Sequence, residues 1–143
     1  MSPFEKDIIR RKLAVIVECL RALAPIKEME ADKYARDIYK RKATERLLQE
    51  MIEAAIDINT HIIVSTGGGA PEDYFQSFIK LGELGVIPVK LAKDLAPSTG
   101  LGNRLVHEYD DIDNSIVLAA VKMADDLYPK YIRAVEDHIK STG

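Results

Sequence analysis

The chain has a single cysteine, Cys19, so it can form no internal disulfide and no cysteine-based zinc site. One lone thiol fits a reducing compartment, and its ordinary role is that of a small buried apolar residue. No stretch approaches the roughly 20 apolar residues needed to span a bilayer. The start lacks the long apolar core of a signal peptide: Glu5, Lys6, Asp7, Arg10, Arg11 and Lys12 leave Leu13 to Val17 as the only run of any length that is uncharged and apolar. A cytoplasmic location is expected. An overall basic field is also missing, since the formal net charge is -3 and the pI is near 5.6, so a nucleic-acid partner would need a local patch. No two of the three histidines, His61, His107 and His138, lie at a metal-ligand spacing, and neither a metal nor a cofactor is expected. The triplet Gly67–Gly69 has no strand before it and no GKS or GKT after it, which excludes the phosphate-loop motif. It reads as a helix stop.

What is present is helical periodicity. At 143 residues, 47% hydrophobic and 30% charged, the chain fits one soluble domain spanning residues 1–143. Ser2, Pro3 and Glu5 form a helix start, a capping hydroxyl with a carboxylate placed to answer it. Ile9, Leu13, Ile16, Leu20 and Leu23 follow at steps of four and three, a stripe expected to stop at Pro25. A long second helix carries Thr44, Leu48, Met51, Ala55, Ile58 and Ile62, with a break expected near Tyr39. A third is expected to begin at Pro71, with Glu72 and Asp73 in its first turn, and to carry Phe75, Phe78, Ile79 and Leu81. A fourth starts at Pro88, is interrupted by Pro97 and resumes through Leu101 to Val106. The last runs from Asp113 through Ile116, Ala120, Met123, Leu127 and Tyr131. Nothing alternates with period two. The fold class is therefore all-α, an up-and-down bundle of four to five helices. Ile52, Ile56 and Ile63 widen the apolar face of the second helix, as Val117 and Val121 do for the last, so a homodimer is expected to cover a second side.

Of the histidines, His61 sits among Ile58, Ile62 and Ile63, where a packed or capping role is expected, and His138 lies in the last turn, where a cation suits the helix dipole. His107 has different company. At about 100° per residue, Asn103 and Arg104 point within roughly 40° and 60° of His107, so an amide, a guanidinium and an imidazole share a face. An imidazole moves protons near neutral pH and a guanidinium holds phosphate, a combination suited to phosphoryl transfer on RNA; a solvated polar face is the plain alternative. Lys33, Arg36, Lys40, Arg41, Lys42 and Arg46 form a basic run diluted by Asp32, Asp37 and Glu45, either a solvated face or an RNA-backbone contact. Asp110, Asp111 and Asp113 suit the cap of the last helix, with a divalent cation as the other reading. Glu53 lies where it can approach the motif across the bundle, with no role assigned.

The segment NRLVHEYDDID, Asn103 to Asp113, together with the helical layout of nearly the whole chain, resembles the HepT-like branch of the HEPN superfamily. The resemblance implies a HEPN-type helical bundle, commonly dimeric, that acts as a metal-independent RNA endonuclease toxin on tRNA or mRNA. It also implies a minimal nucleotidyltransferase antitoxin as partner, which silences the toxin by adenylylating a tyrosine. On this resemblance His107 is the catalytic histidine and Tyr109 the modified tyrosine, with Arg104 as phosphate stabiliser and Asn103 as orienter. The family pattern places arginine five residues before the histidine, and that position is Gly102 here. The same resemblance therefore also implies a second possibility, a catalytically inactive HEPN module that pairs with a nucleotidyltransferase or binds nucleotide or RNA.

Overall fold

The computed structural model describes residues 1–107 and 112–142, with His107 described by its backbone alone. Helix α1, Pro3–Lys27, begins as its sequence requires: Glu5 N–H donates to Ser2 Oγ at 3.1 Å, and Ser2 N–H donates to Glu5 Oε2 at 2.8 Å. Its stripe of Ile9, Leu13, Ile16 and Leu23 is buried along with Cys19. The helix does not stop at Pro25 but passes through it to Lys27. Proline's fixed φ is itself helical, and the one hydrogen bond it forfeits would have gone to the carbonyl of Arg21, an exposed residue within reach of water. Lys27 Nζ then reaches Asp125 Oδ2 at 2.7 Å, fastening this end to the last helix.

The expected break near Tyr39 falls two residues earlier. Asp37 leaves the helical region (φ −108°, ψ 94°) and its carboxylate accepts from Lys40 N–H at 3.0 Å, separating α2, Ala31–Arg36, from α3, Ile38–Ser65. Thr44, Leu48, Met51, Ala55, Ile58 and Ile62 are buried along α3. So are Ile52, Ile56 and Ile63, within this one chain, so the wide apolar face of α3 is already covered without a second copy.

Helix α4, Tyr74–Glu83, starts three residues after Pro71, because Asp73 acts as its cap and accepts from Gln76 N–H at 2.7 Å. Pro97 divides α5, Val89–Leu95, from α6, Ser98–His107. Asp113 caps α7, Asn114–Ser141, by accepting from Ser115 N–H at 2.8 Å; Asp110 and Asp111 lie outside the described residues. The fold is all-α, as expected, with seven helical segments among the described residues. None of them is long and apolar enough to cross a membrane.

All seven helices contribute to one hydrophobic cluster around α3. At its centre Tyr131 of α7 donates to Asn59 Oδ1 at 2.5 Å and approaches Ala55 O at 3.1 Å, while Asn59 Nδ2 donates to Ser77 Oγ of α4 at 3.1 Å. These buried polar groups satisfy one another, which removes the cost of burying them. Phe78 and Tyr128 meet the Tyr131 ring edge-on, at 5.9 and 6.0 Å between centroids. Burial holds both tyrosine hydroxyls well above their ordinary pKa.

Candidate functional site

Helix α6 is placed on α3 by what it lacks at one position. Gly102 is buried, and a Cβ added there would stand 3.1 Å from Ile52 Cγ2. With only hydrogen in that space the two backbones come close. Leu105 is buried one turn along, and at the start of α6 Ser98 Oγ lies 3.0 Å from Tyr128 Oη while donating to Leu95 O at 2.6 Å. The motif helix is thus fixed at its start and along its middle.

Beside this contact runs a cleft of about 650 Å³ between α3 and α6. Ile52 and Ile56 form its apolar floor, Asn103 and Val106 stand on the α6 side, and Glu53, Asp57 and His61 on the α3 side. Lys12 of α1 pairs with Asp57 Oδ2 at 3.0 Å, and Gln49 Nε2 donates to Glu53 Oε1 at 3.1 Å. With one carboxylate paired to a cation and the other only to an amide, the α3 wall is acidic here. A second cleft of about 660 Å³ adjoins it, between Tyr74 and Phe75 on one side and Pro97 and Gly100 on the other. Asn103, Thr99 and Tyr74 border both clefts. The helices run antiparallel: Gly102 meets Ile52, while Thr99 shares both clefts with Tyr74, one turn before the Ser77 that Asn59, further toward the α3 C-terminus, reaches at 3.1 Å. His107, the last residue of α6, therefore lies toward the α3 N-terminus.

Of the residues singled out in sequence, Asn103 is exposed and borders the cleft. Arg104 is half-buried and is not among the cleft's lining residues; its charge adds to the forces that hold the Asp113 carboxyl below its usual pKa, behind hydrogen bonds from the Ser115 hydroxyl and backbone. The side chain of His107, and Tyr109 altogether, lie outside the described residues.

Two expectations need correction. His61 is not packed among its isoleucine neighbours but exposed in the cleft wall, because α3 is amphipathic there and the isoleucines face the other way. The signal was available: Glu53, Asp57 and His61 recur every four residues, one row of a helix. Glu53, left without a role, belongs to that row. His138 does not favour the cationic form, since burial and then the N-terminal ammonium lower its pKa. Cys19 is inert: burial, then Glu50 and Glu18, push its thiol up to about 11.

With this geometry in view, the kinship of the chain is informative. Residues 16–136 match the family model described as Ribonuclease HepT-like. The chain is 40% identical over 139 residues to a tRNA nuclease HepT of Aphanizomenon flos-aquae, covering 97% of this chain and 95% of that protein. It is 27% identical over 130 residues to an mRNA nuclease HepT of Shewanella oneidensis, covering 91% and 97% respectively. In three dimensions it is similar to a tri-AMPylated HEPN toxin of Shewanella oneidensis in complex with an MNT antitoxin. That match has a TM-score of 0.82 and 26% identity, and covers 96% of this chain and 99% of that one.

Proposed function

Because the chain belongs to the HepT-like ribonuclease family, we propose that it is an RNA endonuclease, the toxin of a toxin–antitoxin pair, acting on tRNA or mRNA without a metal ion. The observation that carries this is the NRLVHEY segment, whose Asn103 to His107 lie on α6 with Asn103 bordering the cleft. His107 is the general base: its imidazole takes the proton of a ribose 2′-OH, and the oxygen attacks the adjacent phosphorus. The 5′-oxygen leaves and is protonated by the imidazolium or by water, giving a 2′,3′-cyclic phosphate and a 5′-hydroxyl. Asn103 orients the substrate, and Arg104 stabilises the charge that builds on the phosphoryl oxygens. The active unit is a homodimer in the cytoplasm.

Its partner is a minimal nucleotidyltransferase antitoxin that silences it at Tyr109. The phenol oxygen attacks the α-phosphorus of ATP, pyrophosphate leaves, and the adenylyl group adds bulk and negative charge two residues from the proposed base. The decisive experiment incubates the purified protein with tRNA and with mRNA. The parent is expected to leave 2′,3′-cyclic phosphate ends, and His107→Ala to cleave at least about a hundredfold more slowly. If the two proteins cleave equally, His107 is not the base. Coexpression with the nucleotidyltransferase should add the mass of an adenylyl group at Tyr109; an unmodified, silenced protein would refute that mode of control.

Gly102 favours a second reading. With glycine where the family pattern has arginine, the chain becomes a catalytically silent module that keeps the fold and the nucleotidyltransferase partner or binds nucleotide or RNA. In that case Gly102→Arg creates cleavage where the parent has none.

A further inference from the structure

The cleft wall on α3 does not end at the cleft. Tyr39, Arg46 and Glu53 are spaced by seven residues, two helical turns that return to within about 20° of the same direction, and Lys42 falls one turn from both Tyr39 and Arg46. The row that carries Glu53 and Asp57 beside α6 therefore continues through Arg46 and Lys42 to Tyr39. All three of these N-terminal members are exposed, Tyr39 at 85%. The row changes sign along its length, acidic where it borders the cleft and cationic beyond it. Arg46 Nε pairs with Glu50 at 3.0 Å, an exposed contact of little strength. The nearby Asp37 carboxylate is engaged in capping α3.

Register brings the cationic half level with the motif. Gly102 meets Ile52 and the helices are antiparallel, so His107 lies five residues, about 7.5 Å, from that contact toward the α3 N-terminus. Arg46 lies six residues, about 9 Å, from it in the same direction along α3. Lys42 and Tyr39 extend roughly 6 and 10 Å further. A phosphodiester chain leaving the motif meets carboxylates on one side and cations with an exposed aromatic ring on the other. Only the second side attracts it.

We propose that the Tyr39–Lys42–Arg46 row is a binding track for single-stranded RNA. Lys42 and Arg46 hold successive phosphates, and the Tyr39 ring stacks on an unpaired base. The inference rests on the ribonuclease reading above and adds a substrate-binding element remote from the reacting atoms.

The test uses the full-length protein carrying His107→Ala, so that bound RNA stays intact, titrated with labelled single-stranded RNA at several salt concentrations. Tyr39→Ala is expected to weaken binding about fivefold to a hundredfold, and Tyr39→Trp to restore it. Lys42→Ala with Arg46→Ala is expected to reduce the slope of log affinity against log salt by about 1.4, or about 0.7 for each phosphate released. In the cleaving protein these variants raise KM and leave kcat at saturating RNA unchanged. If the parent binds and cleaves RNA while the variants match its affinity and salt slope, the track is refuted and the ribonuclease reading stands. If the variants bind RNA normally but lose the nucleotidyltransferase, the row is a protein-docking face and the track is likewise refuted. If the parent neither binds nor cleaves RNA, both fall together.

Discussion

Gly102 on α6 and Ile52 on α3 are in such close register that a methyl group at 102 would stand 3.1 Å from Ile52 Cγ2. Gly100, two residues earlier in the same helix, has open space where its Cβ would be. Replacing a helical glycine by alanine ordinarily gains up to about 1 kcal/mol. Gly100→Ala is expected to realise that gain. Gly102→Ala should gain less or lose stability, and denaturant melts of the two variants side by side will show the difference; equal gains would mean that Ile52 yields freely.

Arginine at 102 meets the same obstacle with a larger side chain. Gly102→Arg is expected to lower stability by about 1–3 kcal/mol. Combined with Ile52→Ala, it should lose less than the two single losses added together, because the deleted branch is the one in contact. Assays of RNA cleavage by Gly102→Arg therefore need a melt beside them, so that a gain of cleavage is measured on folded protein. A gain would support the silent-module reading; no gain in folded protein would remove its premise.

Tyr131 holds two helices through one hydroxyl, donating to Asn59 Oδ1 beside Ala55 O in a fully buried setting. Tyr131→Phe leaves the Asn59 oxygen without that donor and is expected to cost about 1–3 kcal/mol. Urea unfolding midpoints measure this, and a loss below about 0.5 kcal/mol would mean that water or a rotated amide repairs the gap.

The lowered pKa of His138 makes stability depend on pH with a definite sign. The unfolded chain binds this proton more readily than the folded one, so the contribution is fully present above the unfolded value near 6.5 and is lost as pH falls through the lower folded value. His138→Gln should flatten the pH dependence of Tm in the window between the lowered folded value and 6.5. An NMR titration giving His138 an ordinary or raised pKa would contradict the burial argument.

Local features were legible because their causes are local. The Ser2–Glu5 capping box, the Asp113 cap, the interruption at Pro97 and the stripe from Ile9 to Leu23 each follow from residues a few positions apart. Pro25 misled because proline's penalty depends on whether its lost hydrogen bond was needed, and at an exposed last turn it was not. The position of His61 was decided by which face of α3 the rest of the bundle covers. The NRLVHEY segment pointed to the family and singled out Asn103, a residue that borders a cleft. It could not supply the opposing wall, which comes from residues some fifty positions earlier through the Gly102–Ile52 register.

The inert Cys19 makes this chain a silent background for thiol chemistry. The residue is 2% exposed and burial holds its thiol pKa at about 11, so near pH 7.5 almost none of it is thiolate and a labelling reagent finds little access to it. A cysteine introduced at Tyr39 would be the one reactive thiol among the described residues, and it can carry a fluorophore or spin label with every native contact of α1 left in place.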